Sequence, residues 1–246
     1  MKLFTKGLVI KEQTIGESDR LVTLLTADYG ILKAFAHRAK QTKSKLNSST
    51  TLFAYSDFVL RESKNSYIVE DATSVEIFFD LRKDIERLTL AQYFVQLAYE
   101  LSAEGQPEEE LLNLTLNSLY LLCNNKKNQL LVKSVYELRS VCIGGYMPNI
   151  VACDECGTYE TDIMYFDIKE GKIYCDKCGA SKGIMVTKSI IKAIRFICLS
   201  EPQKVFSFTL DDNNLKLLND ITERYTINCI ERKLTALDFY KSLLAN

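Results

Sequence analysis

Two Cys-x-x-Cys pairs, Cys153/Cys156 and Cys175/Cys178, stand with 18 residues between them in a chain whose only histidine is His37. Thiolates are soft ligands, and four at this spacing suit a tetrahedral Zn2+ to which each pair offers two sulfurs from one knuckle. Gly157 and Gly179 follow the second cysteine of each pair, where a backbone amide must come close to sulfur. Between the pairs, 163–168 and 172–174 read as a hairpin around Glu170-Gly171, which predicts a zinc-ribbon-like module with one structural Zn2+ per chain. A catalytic zinc keeps one position open for water, and four cysteines leave none. Nor is there a His-x-Glu upstream of a cysteine pair, as a zinc deaminase requires. Cys123, Cys142, Cys198 and Cys229 sit among apolar helical positions and read as core.

A second constellation has charge but no metal ligands. Residues 33–46 contain Lys33, Arg38, Lys40, Lys43 and Lys45 with His37 and no acid. The net charge of −1 hides this: residues 1–72 total about +3 and the remainder about −4. Such a patch suits a polyanion, and the nearby Phe35, Phe53, Tyr55, Phe58 and Tyr67 offer candidate stacking surfaces for bases. The plainer reading is a solvated loop beside core aromatics. His37 has no partner histidine, so a phosphate or base contact is more natural for it than acid–base work. No Gly-x-x-x-x-Gly-Lys-Ser/Thr loop is present. Asp80/Asp84 and Glu108–Glu110 read as helix-end charge and Glu17-Ser18-Asp19 as a turn, which leaves no catalytic constellation and predicts no enzymatic activity.

The elements that must position these groups change character once. Strands are expected at 7–15, 19–26, 30–36, 52–62 and 66–71, the last two joined through Ser63-Lys64-Asn65. Five strands with a long polar connection after the third fit an OB-fold barrel, and an SH3-like barrel fits the count nearly as well. From Thr73 the apolar period becomes helical, with helices at about 85–104, 108–122 and 129–143, then 187–199, 211–225 and 232–244. The stretch 111–122 is apolar nearly all round and is expected to be the most buried helix. The fold class is therefore α+β, with modules at 1–72, 73–150, 151–183 and 184–246. The most apolar stretch, 190–199, is too short for a membrane span and is broken by Lys192 and Arg195; no secretory signal is read, so a cytoplasmic protein is expected.

Taken in order, these residues resemble the bacterial recombination mediator family RecO. GLVIKEQTIGESDRLVTLLTADYGILKAFAHRAKQTKSK is similar to that family's run of strand, acidic turn with Asp-Arg, Leu-Leu-Thr and Tyr-Gly, then a basic segment. YTINCIERKLTALDFYKSLL resembles its terminal helix, and the four-cysteine insert lies where many members carry zinc. Three stretches depart: Ala36-His37-Arg38-Ala39 replaces a Gly-rich stretch, 51–55 lacks a proline, and Thr235-Ala236 replaces Lys-Ser.

The resemblance implies an OB-fold, a helical domain, a zinc module and no turnover. It implies binding to single- and double-stranded DNA, annealing of complementary strands, and contact with the C-terminal tail of the single-stranded-DNA-binding protein. Work with RecR to load RecA, in the cytoplasm and at the nucleoid during repair, belongs to the same expectation. Arg38, Lys40, Lys43 and Lys45 match the family's basic loop as DNA contacts, with Lys33 and Arg20 behind them. The contrasting reading is a zinc-containing adaptor that recruits proteins without touching DNA.

Overall fold

The amino-terminal strands carry more apolar residues than a flat sheet could cover, and five of them bury these residues by curling on themselves. The computed structural model describes residues 1–64 and 66–244. In it β1 (Lys2–Ile15), β2 (Asp19–Thr26), β3 (Gly30–Ala36), β4 (Ala54–Glu62) and β5 (Tyr67–Ile77) close in the order β1-β2-β3-β5-β4. The seam between β3 and β5 is parallel and short, pairing Ala34 with Tyr67 and Phe35 with Ile68. A register shift between Val9 and Lys11 bends β1, and Gly7 to Ile10 are buried consecutively around it. Val9, Val22, Leu24, Leu32, Phe58 and Leu60 fill the interior with small alanines between them.

β1 begins at Lys2 and β5 runs to Ile77, both beyond the stretches expected from sequence. Lys2, Phe4 and Lys6 face solvent, as do Thr73, Val75 and Glu76, so these ends lack the apolar signal that marks a strand. Asn65 of the expected β4–β5 turn lies outside the described residues.

The chain divides into two compact units, Met1–Asn124 with the segment from Thr235, and Asn125–Leu234. Besides the barrel, the first holds the single-turn α1 (Leu46–Ser49), α2 (Ile85–Leu101), α3 (Glu109–Cys123) and, from the chain's end, α8 (Thr235–Leu244). Asp84 caps α2 by accepting hydrogen bonds from the amides of Glu86 and Arg87. Glu109 and Glu110 lie in the first turn of α3, where the helix dipole favours them. The α2–α3 connection runs against the β2–β3 turn: Ile31 N donates to Ala103 O (3.3 Å), and Glu108 N donates to Ala27 O (2.8 Å). Gly30 must be glycine there. Its φ is +59°, and a Cβ would stand 2.2 Å from the Ala103 carbonyl oxygen.

The second unit holds α4 (Gln129–Ile143), the strands β6 (Ile163–Asp167), β7 (Lys172–Cys175) and β8 (Ile184–Thr187), the turn α5 (Asp176–Gly179), and the helices α6 (Lys188–Leu199) and α7 (Asp212–Ile230). Its sheet has the order β7-β6-β8. The most deeply buried helix is α4, not the 111–122 stretch expected from sequence. Leu131 to Leu138 of α4 are buried without interruption, whereas α3 exposes Asn113, Asn117 and Tyr120.

The burial of α4 includes charge. Lys133, 1% exposed, reaches Glu137 (2.7 Å), Glu223 (2.9 Å) and Asn219 (3.1 Å), and the Thr222 hydroxyl donates to Glu137 (2.8 Å). Burial raises the Glu137 carboxyl, and the Lys133 ammonium opposes that rise. In sequence this i,i+4 pair looks like an ordinary surface pair. Only the packing of α7 over α4 makes it internal.

Candidate nucleic-acid interface and metal cluster

The loop from His37 to Thr51 carries most of the basic residues, and strand β2 holds it down. Asp19, the first residue of β2, accepts from the Arg38 amide through Oδ1 (2.7 Å) and bonds His37 Nδ1 through Oδ2 (2.8 Å). The Arg38 amide, and then His37, hold this carboxyl below its ordinary value of 3.8. Ser18 O accepts from Lys40 N at 2.9 Å. Arg38 takes the left-handed conformation at φ +54°, which a glycine adopts freely and which costs another residue roughly 1–2 kcal/mol. The two bonds from Asp19 hold it there.

Arg20 grips the far end of the loop. Nη1 donates to Asn47 O (2.6 Å) and Thr50 Oγ1 (3.0 Å), and Nη2 to Asn47 Oδ1 (3.2 Å). Between the two anchors Ala39 enters the barrel core and Leu46 packs against it. The loop is thus fixed from inside. Arg38, Lys40, Lys43 and Lys45 all face solvent, and among the described residues none of the four forms an ion pair. The Lys40 ammonium donates only to the neutral Thr14 hydroxyl, at 3.3 Å.

The remaining expected contacts fall differently. Lys33 is exposed but paired with Glu104 at 3.3 Å. Arg20 is half-buried with its donors turned to the loop. Of the candidate rings, Phe53 and Phe58 are core residues, while Phe35, Tyr55 and Tyr67 are half-buried. Asp19 was missed by the sequence reading, which took it for turn punctuation. The signal available was an acid at a strand start in a chain with one histidine.

The four sulfurs of Cys153, Cys156, Cys175 and Cys178 lie within 4.8 Å of one another, with Cys156 and Cys175 3.6 Å apart. Zn–S bonds of about 2.3 Å put the sulfurs of a tetrahedron roughly 3.8 Å apart, so the residues fit the ion. In the first knuckle Gly157 N donates to Cys153 O and Cys153 N to Thr158 O, both at 2.9 Å, with Gly157 at φ +70°. In the second, Cys175 ends β7 and Cys178 lies one turn on in α5. The Thr158 hydroxyl, 3.2 Å from Cys156 sulfur, holds that thiol down at about 6, toward the thiolate that ligates metals. Contact with Cys175 raises Cys178.

Behind the cluster, Arg195 of α6 gathers the arm that bears the first knuckle. Its guanidinium donates to the carbonyls of Ile150 (2.8 Å), Val151 (3.0 Å) and Tyr159 (2.6 Å), pairs with Glu160 (3.3 Å) and lies 4.2 Å over the Tyr159 ring. The fixed fork of arginine donors suits this many partners, which a lysine could not reach together. In sequence Arg195 reads only as a charge breaking an apolar stretch. Strand β8, which completes the sheet on the other side of β6, was also not anticipated.

Residues 1–78 match the family described as Recombination protein O N terminal, and residues 82–238 the one described as Recombination protein O C terminal. The chain is 36% identical to the DNA repair protein RecO of Acetivibrio thermocellus, over 98% of this chain and 97% of that one. It is 27% identical to the protein of the same name from Caldicellulosiruptor bescii, covering 98% and 99% of the two chains. For that of Alkaliphilus metalliredigens the identity is 28%, covering 94% and 95%.

Asp19→Asn keeps the shape of the loop anchor and removes its charge. Trypsin is expected to cut after Lys43 and Lys45 several-fold faster in this variant, and equal rates contradict the anchoring role. Because the folded carboxyl is depressed, its contribution is complete above the ordinary 3.8 and fades as pH falls through the lower folded value. In the wild type the cleavage sites should therefore stay protected at neutral pH. A pH titration of loop amide exchange should show opening only below about pH 4.

Proposed function

The chain belongs to the RecO family of DNA repair proteins, and on that premise we propose that it is a non-enzymatic mediator of recombination. It binds single- and double-stranded DNA, anneals complementary strands, and with RecR helps load RecA onto DNA coated by the single-stranded-DNA-binding protein, whose C-terminal tail it engages. The setting is the cytoplasm, at the nucleoid during repair. The observation that carries this reading is the anchored basic loop. Four cations without acidic partners among the described residues are held outward on a closed five-stranded barrel, whose strand order supports naming it an OB-fold.

Annealing needs no nucleophile and no general base. Two strands repel through their phosphates, and cations that neutralise both lower that repulsion whatever the base sequence. Arg38, Lys40, Lys43 and Lys45 supply the charge. His37 and Lys33 flank them, and Arg20 positions the loop from below. The work divides along the chain: residues 1–72 meet DNA, and the zinc module at 151–183 braces the helices of its own unit, Asn125–Leu234. The zinc is structural, one per chain, and is worth on the order of 10 kcal/mol of folding free energy in modules of this kind.

Complementary oligonucleotides precoated with single-stranded-DNA-binding protein test the reading. The wild-type chain should accelerate their annealing, and Lys40→Glu/Lys43→Glu/Lys45→Glu should lose most of that acceleration while remaining folded. If the triple variant anneals as well as the wild type, direct DNA binding by the loop is wrong. If neither binds bare oligonucleotides but both retain the protein tail, the adaptor reading replaces it. The zinc assignment has its own test. Metal analysis should find one zinc per chain, and stripping it with a chelator should unfold residues 151–183 in hydrogen exchange while the barrel stays protected.

A further inference from the structure

Two cysteines outside the metal cluster face each other in the second unit. Cys142 lies in the last turn of α4 and Cys198 in the last turn of α6, with their sulfurs 3.5 Å apart in S–H···S contact. Cys198 is buried and Cys142 half-buried, which makes Cys142 the more exposed residue of the pair. Arg139, one helical turn before Cys142, sends Nη1 to the carbonyls of Ile197 (3.2 Å) and Cys198 (2.7 Å). That guanidinium closes the carboxyl end of α6 and fixes the distance between the two helices where the thiols meet.

We propose that Cys142 and Cys198 form a dithiol that small hydroperoxides oxidise to a disulfide. The sulfurs need to close by about 1.5 Å to reach the S–S bond length of about 2.05 Å. Contact with Cys198 lowers the Cys142 thiol from its ordinary 9.0; burial opposes this, and the Arg139 guanidinium adds to it. The same contact, together with burial, raises Cys198. Cys142 is thus the sulfur suited to attack and Cys198 the one that resolves.

The Cys142 thiolate attacks one peroxide oxygen. A sulfur–oxygen bond forms, the O–O bond breaks, and the departing oxygen leaves as water or alcohol after taking a proton. Cys198 sulfur then attacks the sulfenic sulfur. The S–S bond forms, the sulfur–oxygen bond breaks, and hydroxide leaves as water with the Cys198 proton. Two thiols give up two electrons, and one hydroperoxide accepts them.

The product would tie the carboxyl ends of α4 and α6 together. Helix α6 is also the one whose Arg195 holds the first metal knuckle. Fixing it at its end secures the support of the metal cluster under the oxidising conditions that threaten exposed Cys156. Cys229 is the competing thiol. It hydrogen-bonds the Tyr225 hydroxyl, and burial raises it, so it is poorly suited to either role.

The full-length chain, as purified, is treated with increasing hydrogen peroxide, alkylated, digested without reduction and mapped by mass spectrometry, while metal release is followed with a dye. The expected result is a peptide pair joined through Cys142 and Cys198 at peroxide levels where Cys153, Cys156, Cys175 and Cys178 are unmodified. Dithiothreitol should reverse it, and the oxidised chain should melt on the order of 5 °C higher. Cys142→Ser and Cys198→Ser should each abolish the pair. If either fails to fold, the wild-type map decides alone. The inference is overturned if Cys142 and Cys198 remain alkylatable after the metal cysteines are oxidised, or if Cys142 is found joined to Cys229.

Discussion

One carboxylate sets the geometry of the basic loop. Asp19 stands where β2 begins and uses both oxygens on the loop leaving β3, one on the Arg38 amide and one on the His37 ring. Without it the left-handed Arg38 loses the acceptor of its amide, and His37 its partner. With it, the backbone donors are satisfied from inside the barrel rim and the four cationic side chains remain outside. The loop thereby separates two kinds of group: anchoring ones that are acidic or apolar and turned inward, and basic ones left exposed and without ion pairs among the described residues. Arg20 shows the same division from the other side, since it is basic yet spends its donors on Asn47 and Thr50.

The second unit solves a similar problem with different chemistry. A knuckle made of 150–160 has too little apolar surface to hold its own shape. Arg195 gathers three of its carbonyls, and four thiols converge at metal distance beyond them. Lys133, Glu137 and Glu223 form a third polar network, buried between α4 and α7. Removing one member would strand the others, because an uncompensated buried charge costs about 3–5 kcal/mol. The helices α4, α6 and α7 of this unit are thus each tied to a neighbour by a specific polar contact as well as by apolar packing.

How much of this could be read in advance depended on distance along the chain. The four-cysteine cluster was legible because metal-ligand chemistry favours such local spacing, and the basic run because charge is visible residue by residue. The helices 129–143 and 188–199 emerged nearly to their ends from apolar period and caps. Asp19 was not legible, since its partners lie 18 and 19 residues away and only barrel closure brings them together. The partners of Arg20, Arg195 and Lys133 were not legible for the same reason, since they lie far along the chain. The expectation that 111–122 would be the most buried helix failed because apolar content does not say which neighbours arrive. α7 packs on α4, and its polar residues are what allow Lys133 to be buried.

The central claim is that four outward cations of one loop, rather than the chain's overall charge, bind nucleic acid. The salt dependence of single-stranded DNA affinity counts such contacts, at about 0.7 released ions per neutralised phosphate. Lys33, occupied by Glu104, does not enter the count. The log–log slope should be near −2.8 for the wild type and fall to about −0.7 when Lys40, Lys43 and Lys45 are changed to glutamine, leaving Arg38. A slope that is the same in both proteins contradicts the account.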